Sequence, residues 1–449
     1  MNNSDFYSDA PLYQALKRYV EREMSSFHTP GHKNSSDILP LDISFDLTEL
    51  PDTDSLFECD GIIRQSEIKA ADLFGAGYTA VSAGGCTLAI QGMLAAFTNI
   101  GNTVIFSRNI HRSAVNTAIL LGLNTKWVMH SDDCGRGLTG RIHPDDVRDA
   151  LNSNRGAAAV YITSPDYYGC MSDISGIAAV CREFGVPLLV DNAHGTHLVA
   201  FGKHPIQLGA AASACSAHKT LPVITGGAWL NCSDLSAAQK IKSAMALFGS
   251  TSPPYPTMAS LDIARAWMQA RGVEEFARLA ETVAELRECA LNVGFELPKG
   301  ECDPVRLTLL TECVGMTGDD AAEYFRKRNV ECEHSDRAAV VFILTPFNTP
   351  RDISRLRDAI VEFPVGKPLT NSADDVEFRR LPECAMMPRE VLTHSREFIP
   401  TEQAEGRIAA EAACPCPPGV PVVMPGEIID KECIKILLNT GINEINVLK

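Results

Sequence analysis

The sequence has no uninterrupted apolar run approaching the ~20 residues needed to cross a bilayer, so no membrane span is expected. It has no C-x-x-C pair and no zinc-ribbon spacing, which removes the commonest cysteine-based metal motifs. It has no internal repeat and no low-complexity tract. Basic residues are outnumbered, with Lys and Arg totalling 40 against 56 Asp and Glu, a formal net charge of −16. Nucleic acid and anionic membrane select for basic surfaces, so neither is an expected partner. The start, Met1-Asn2-Asn3-Ser4-Asp5, lacks a basic region followed by an apolar stretch, and no signal peptide is expected.

What is present is an ordinary globular balance, 45% hydrophobic and 21% charged. The 449 residues suffice for two or three domains and a core large enough to enclose a pocket. The 15 cysteines are odd in number and scattered, which reads as reduced thiols in a cytoplasmic protein. Cys414 and Cys416 lie in a proline-rich run, and no second pair completes a metal site with them.

Helical spacing over 11–24 (Leu12, Leu16, Val20, Met24) is broken by His28-Thr29-Pro30-Gly31-His32. From about 66 to 261, short β-rich runs at 103–106, 158–163, 187–190 and 223–230 alternate with helical stretches such as 87–98 and 175–184. That alternation predicts a largely parallel sheet covered on both faces, with its ligand crevice beyond the carboxyl ends of the strands. Beyond residue 272 the pattern changes to strands at 305–310 and 338–344 with helices at 319–328 and 350–363, Thr317 standing near an N-cap. The segment 369–449 is less regular, and its run 414–421 reads as an extended loop because proline fixes φ and removes donors. The expected organisation is an arm over 1–60, a large α/β domain over 61–271 and a smaller α+β part over 272–449.

The strongest chemical pattern lies between 187 and 220. A β-run ends in Asp191-Asn192-Ala193-His194-Gly195-Thr196-His197, which places an acid in the crevice. Further on, Lys219 stands within Ser216-Ala217-His218-Lys219-Thr220. Desolvation among small neighbours lowers a lysine pKa and makes the amine nucleophilic. An acid followed by such a lysine suits pyridoxal 5'-phosphate: the acid pairs with the pyridinium nitrogen and the lysine holds the aldehyde as a Schiff base. The bland alternative is a surface lysine and a strand-end aspartate capping a helix. Ser82-Ala83-Gly84-Gly85-Cys86-Thr87 precedes an apolar helical run and could present amides to a phosphate. Cys86 could be a low-pKa thiol there, or simply a small residue in a tight loop. His111, in Asn109-Ile110-His111-Arg112-Ser113, could stack on a cofactor ring or be a satisfied, partly buried side chain.

These pieces together resemble the Orn/Lys/Arg decarboxylase family of pyridoxal phosphate enzymes, which share the aspartate aminotransferase architecture (fold type I). The resemblance runs along the whole chain. It rests on His28-Thr29-Pro30-Gly31-His32-Lys33, Asp46-Leu47-Thr48-Glu49-Leu50, the 84–87 loop, 109–113, Asp191-x-Ala193-His194-Gly195 and Ser216-x-His218-Lys219-Thr220. Ser250-Thr251-Ser252-Pro253, Pro417-Pro418-Gly419-Val420-Pro421 and Pro425-Gly426-Glu427 complete it. It implies a large, mostly parallel seven-stranded sheet domain with a smaller C-terminal α+β domain. It also implies decarboxylation of arginine, lysine or ornithine to the amine, feeding polyamine metabolism. By position, Lys219 matches the Schiff-base lysine, Asp191 the partner of the pyridine nitrogen and His111 the ring-stacking histidine. Ala193 matches the residue on the opposite face of the ring, and His194 lies beside the cofactor. Gly84, Gly85, Cys86, Thr87, Ser216 and His218 match positions around the phosphate. Ser250 or Thr251 matches a hydroxyl donated by the neighbouring subunit, which implies a homodimer with shared active sites.

Several residues depart from the family pattern. Gly85 and Cys86 stand where hydroxyls are usual, Asn192 where Glu is frequent, and Cys416 where an aromatic often precedes the Pro-Pro-Gly run. The chain begins at the arm, so the receiver-like domain of the long members and their ring-like assemblies are not expected. Asp46, Glu49, Asp52 and Asp54 form an acidic run that the family pattern places near the active-site entrance. It would suit a substrate's distal cation, or be a solvated loop. Arginine is slightly favoured as substrate. An aminotransferase or lyase of the same fold, and a non-catalytic regulator, are the rival readings. Metal catalysis is not expected: Pro30-Gly31 prevents the helix that would align His28 and His32, and His194-x-x-His197 has no clear third ligand.

Overall fold

The computed structural model describes residues 6–23, 28–30, 32–33, 42–131, 134–135, 138, 140–369, 380–414 and 420–449. Seven strands share one sheet: β1 (Tyr78–Ser82), β2 (Thr103–Ser107), β3 (Asn124–Val128), β4 (Ala159–Thr163), β5 (Leu188–Asp191), β6 (Ala212–Cys215) and β7 (Ala228–Cys232). Their order is β1-β7-β6-β5-β4-β2-β3. The pairs β5–β6, β4–β2 and β2–β3 are parallel, while β7 runs antiparallel to both β1 and β6. β8 (Arg306–Leu310), β9 (His334–Ser335) and β10 (Ala339–Ile343) form a three-stranded antiparallel sheet in the order β8-β10-β9. β11 (Arg396–Pro400) pairs antiparallel with β12 (Glu444–Leu448).

The helices are α1 (Pro11–Glu21), α2 (Ile62–Phe74), α3 (Gly85–Phe97), α4 (Arg112–Leu121), α5 (Pro144–Ser153) and α6 (Ile174–Phe184). They continue as α7 (Ala238–Ala246), α8 (Tyr255–Trp267), α9 (Val273–Val293), α10 (Gly318–Arg326), α11 (Pro350–Val361) and α12 (Lys431–Asn439). Among the described residues no helix is long and apolar enough to cross a membrane.

By internal contact the chain divides into two units, Met1–Phe97 with Leu189–Ala277, and Thr98–Leu188 with Arg278–Lys449. In the first unit, α1 starts with Pro11 at N1 and buries Leu12, Ala15 and Leu16. It has no side-chain cap of its own, and Asp262 of α8 takes that part, accepting from Leu12 N at 2.8 Å and Tyr13 N at 3.3 Å. The Asp262 carboxylate also accepts from Ser66 Oγ at 2.7 Å, so one buried acid ties α1, α2 and α8. Helix α3 packs on α7 at Gly92, where an added Cβ would stand 2.4 Å from Met245 Cγ. Four elements of the second unit follow their sequence signals closely. Thr317 caps α10 through Asp320 N, and Thr349, Pro350 and Asp352 build a capping box at the start of α11. β8 and β10 fall inside the runs expected for them.

Two local expectations need correction, and one strand was not anticipated. The run 223–230 is not one strand: 223–227 is irregular, with turns, and β7 begins at Ala228, because Gly226 holds a φ of +95° and an added Cβ at Gly227 would meet Val223 at 2.3 Å. The segment 369–449 is more regular than its composition suggests. The β11–β12 pair and α12 bury Val422, Val423, Ile429, Leu437, Ile445 and Val447 together. Residues 415–419 of its proline-rich run lie outside the described residues. The strand β6, Ala-Ser-Ala-Cys, has weak β-propensity and is set by burial between β5 and β7.

Candidate active site

Strand β5 is buried throughout and ends on Asp191, whose side chain is 1% exposed. Its carboxylate accepts from Ala193 N at 3.1 Å, which shapes the turn that follows. Asn192 continues that turn, donating from Nδ2 to Gly195 O at 3.1 Å and from its amide to Ala214 O at 2.9 Å. His194, 7% exposed, is carried on the same turn.

Strand β6, parallel to β5, delivers its own terminus to the same side. Ser216, His218 and Lys219 follow it on one tight turn, with Lys219 N donating to Ser216 O at 3.2 Å. Lys219 Nζ reaches His194 Nε2 at 2.7 Å. His218 Nδ1 faces Gly227 O at 3.3 Å, an acceptor only, so Nδ1 carries the hydrogen and Ser216 Oγ, 3.2 Å away, accepts.

The small-residue turn after β1 enters α3 at Gly85, one residue before Cys86. Gly85 has φ +72° and open space where a Cβ would stand, and its amide is taken by Gly226 O at 2.8 Å. The next amides, of Cys86 and Thr87, belong to a first helical turn, whose N–H groups have no intrahelical acceptor. Cys86 is half-buried and its thiol is pushed well above the ordinary range, first by desolvation, then by Asp191 and Cys215; Lys219 opposes them. One thiol therefore feels both the acid and the amine, which brings α3, β5 and the turn after β6 to a common point. Cys86 is no reactive thiolate. Gly84 and Thr87 are exposed beside it.

His111 caps α4 in the other unit. Its Nδ1 accepts from Ser113 N at 3.2 Å and from Ser113 Oγ, 2.7 Å away, which leaves the neutral ring's proton on Nε2. The imidazole is exposed. Ser250 and Thr251 are exposed on the segment between α7 and α8, with Ser250 Oγ accepting from Ser252 N at 3.1 Å.

The acidic run is engaged in local structure. Asp46 pairs with His32 at 3.1 Å and Asp52 with Arg22 at 2.5 Å. Asp54 Oδ2 accepts from Gly61 N and Ile63 N at 3.0 and 2.9 Å, and Glu49 accepts from Ser55 Oγ at 2.9 Å.

Sequence reasoning gave no role to Arg108, at the end of β2 and three residues before His111. It is fully buried and donates to both oxygens of Glu427 at 2.7 and 2.8 Å, and to Pro421 O and Val422 O at 2.9 and 3.1 Å. The C-terminal Pro-Gly-Glu run was the available signal: a glutamate in an apolar neighbourhood calls for a buried cation.

A lysine amine, a buried carboxylate on an adjacent parallel strand and a helix N-terminus, gathered at the carboxyl ends of central strands, fit a phosphorylated pyridine aldehyde. The open space at Gly85 and the first-turn amides suit the dianion, and Asp191 suits the ring nitrogen. The fold is that of fold type I, the architecture of pyridoxal phosphate-dependent transferases. It is shared with a lysine decarboxylase from Francisella novicida at a TM-score of 0.82 and 18% identity, covering 98% of this chain and 81% of that one.

Residues 10–293 match the major domain of Orn/Lys/Arg decarboxylase, and 372–440 match its C-terminal domain. The chain belongs to the Orn/Lys/Arg decarboxylase family and is a carbon–carbon lyase. It is 31% identical to an arginine decarboxylase of Bacillus subtilis (strain 168), over 96% of this chain and 93% of that protein. It is 22% identical to the constitutive lysine decarboxylase of Escherichia coli (strain K12), over 95% and 76%.

Proposed function

We propose that this chain is an L-arginine decarboxylase that binds pyridoxal 5'-phosphate through Lys219 and releases agmatine and CO2. The observation that carries the reading is the Lys219 Nζ–His194 Nε2 contact of 2.7 Å beside the buried acid Asp191. The preference for arginine rests on the Bacillus relatives named arginine decarboxylase, at 28–31% identity, against 22% for the enzymes named for lysine and ornithine.

When bound, the cofactor supplies an electron sink for the pair left on the substrate Cα as the carboxylate departs. The remaining work falls to the chain. Asp191 holds a proton at the pyridine nitrogen, and its burial keeps water from competing for that contact. His194 orients the Lys219 amine, and Lys219 returns a proton to Cα after CO2 leaves. By the family resemblance, His111 and Ala193 would be the residues that pack on the cofactor ring. The amides of Gly84, Cys86 and Thr87, with Ser216 and His218, would hold the phosphate, with Gly85 leaving room for it. A homodimer completes each site with Ser250 or Thr251 of the partner subunit.

Borohydride reduction followed by peptide mapping tests the assignment. The expected result is a visible absorption band that reduction removes, and a pyridoxyl adduct on Lys219. An adduct on another lysine, or a colourless protein after incubation with the cofactor, overturns it.

A further inference from the structure

Three cysteines far apart in sequence, Cys134, Cys170 and Cys302, share one corner of the second unit. Cys170 follows β4, and Cys302 precedes β8. The two face each other across a single antiparallel bridge. Met171 N donates to Glu301 O at 3.0 Å and Asp303 N to Gly169 O at 2.7 Å, one bond on either side of the pair. That arrangement makes Cys170 and Cys302 a non-hydrogen-bonded pair, the kind whose Cα atoms stand about 4.5 Å apart with side chains on one face. A disulfide needs a Cα separation of roughly 4.4–6.8 Å, so the backbone need not move to admit one.

The side chains agree with the backbone. Cys134, Cys170 and Cys302 pack in one cluster, and the Cys302 thiol donates weakly to Pro298 O at 3.8 Å and Lys299 O at 3.9 Å. Cys134 and Cys170 are buried, whereas Cys302 is partly exposed. Two arginines stand near Cys302, with Asp166 acting against them. Arg141 donates to Lys299 O, and Arg287 donates to Asp303 O and Arg306 O, each at 2.7 Å. The hydrogen bond from Cys170, then Arg141 and Arg287, hold the Cys302 thiol below its ordinary range, with burial and Asp166 opposing. Cys170 is shifted the other way, upward, by its two thiol neighbours and by burial. Of the two facing sulfurs, Cys302 is the one more readily deprotonated.

We propose that Cys302 and Cys170 form a reversible disulfide when the protein meets a hydroperoxide, a modification site separate from Lys219 chemistry. The Cys302 thiolate attacks one peroxide oxygen, the O–O bond breaks and hydroxide leaves, giving a sulfenic acid. The Cys170 sulfur then attacks the Cys302 sulfur, the S–S bond forms, and the Cys170 proton departs with the hydroxyl as water. Two electrons pass from the two sulfurs to the peroxide. A dithiol reverses the bond by exchange. The product ties the loop leaving β4 to the segment entering β8, where Arg306 Nη1 already donates to Tyr167 O at 2.8 Å and Thr308 Oγ1 to Tyr168 O at 2.7 Å.

The test uses the full-length, reduced, cofactor-loaded protein, exposed to hydrogen peroxide, quenched with an alkylating agent and mapped by mass spectrometry. The expected first product is a linked peptide joining Cys170 and Cys302, lost on adding dithiothreitol. Cys302 should be consumed at least ~10-fold faster than exposed Cys384, whose thiol is shifted upward. In Cys170→Ser the linked peptide disappears and Cys302 becomes reactive to dimedone. The wild-type map stands on its own if that variant folds poorly. The proposal is overturned if Cys302 stays alkylatable while Cys384 oxidises, or if the first disulfide joins other cysteines.

Discussion

Arg108 and Glu427 form a two-point ion pair at 2.7 and 2.8 Å across 319 residues of sequence, with side chains 0% and 2% exposed. The guanidinium also lies 5.3 Å from the Trp127 ring centroid. Both charges are out of water, so removing one strands the other. Glu427→Ala should cost about 3–5 kcal/mol of stability, and Arg108→Lys should also destabilise because an ammonium cannot make the fork. Denaturant unfolding of both variants measures this. A Glu427→Ala loss below about 1 kcal/mol would refute the structural weight given to the pair.

His204 carries an acid liability. It is fully buried against Phe74, with ring centroids 4.8 Å apart, and burial lowers its pKa from 6.5 to about 3. Above pH 6.5 both folded and unfolded forms are neutral there and the group contributes no slope. Below 6.5 the unfolded chain binds a proton that the folded chain refuses, so stability falls as pH drops toward 3, by about 1.4 kcal/mol per pH unit. His204→Asn should flatten the stability profile between pH 6.5 and 4 relative to wild type. Parallel profiles would show that His204 is protonated in the fold.

The phosphate end can be strengthened at one position and not its neighbour. Cys86→Ser puts a hydroxyl donor in the first turn of α3 without changing the backbone. A hydrogen bond to an anion contributes about 1.5–3 kcal/mol, so cofactor dissociation should tighten roughly 10-fold or more. Gly85→Ser asks a side chain to adopt φ +72°, and should destabilise by about 1 kcal/mol although space is open there. Equilibrium dialysis and thermal unfolding separate the two effects.

His194 is read as the residue that positions the Lys219 amine. His194→Ala should lower kcat by about 10²-fold with little change in KM, in line with losing a positioned proton partner. The covalent link at Lys219 should still form and still be trapped by borohydride. Unchanged kcat would show that the 2.7 Å contact is incidental to turnover.

The candidate site was legible because its residues are local in sequence: Asp191 and His194 share one turn, and Ser216, His218 and Lys219 share the next. The fold class followed from strands and helices alternating at readable lengths. The turn at Gly226 was hidden because its apolar flanks mimic a strand, and β6 because Ala-Ser-Ala-Cys is a strand only through its neighbours. Glu427 was visible in the Pro-Gly-Glu run but its partner Arg108 was not, and the three-thiol corner could not be read at all, since no local spacing relates residues that meet only after long-range folding. The acidic run shows the opposite limit. The carboxylates were visible, but their commitment to His32, Arg22 and the amides of Gly61 and Ile63 depends on geometry.

Product analysis tests the central claim most directly. The full-length protein, incubated with pyridoxal 5'-phosphate and separately with L-arginine, L-lysine and L-ornithine, should release CO2 and the corresponding amine in equal amounts. The highest kcat/KM should be for agmatine formation, and Lys219→Ala should form no product. A keto acid in place of an amine, no CO2 from any of the three substrates, or near-normal turnover by Lys219→Ala would contradict the account.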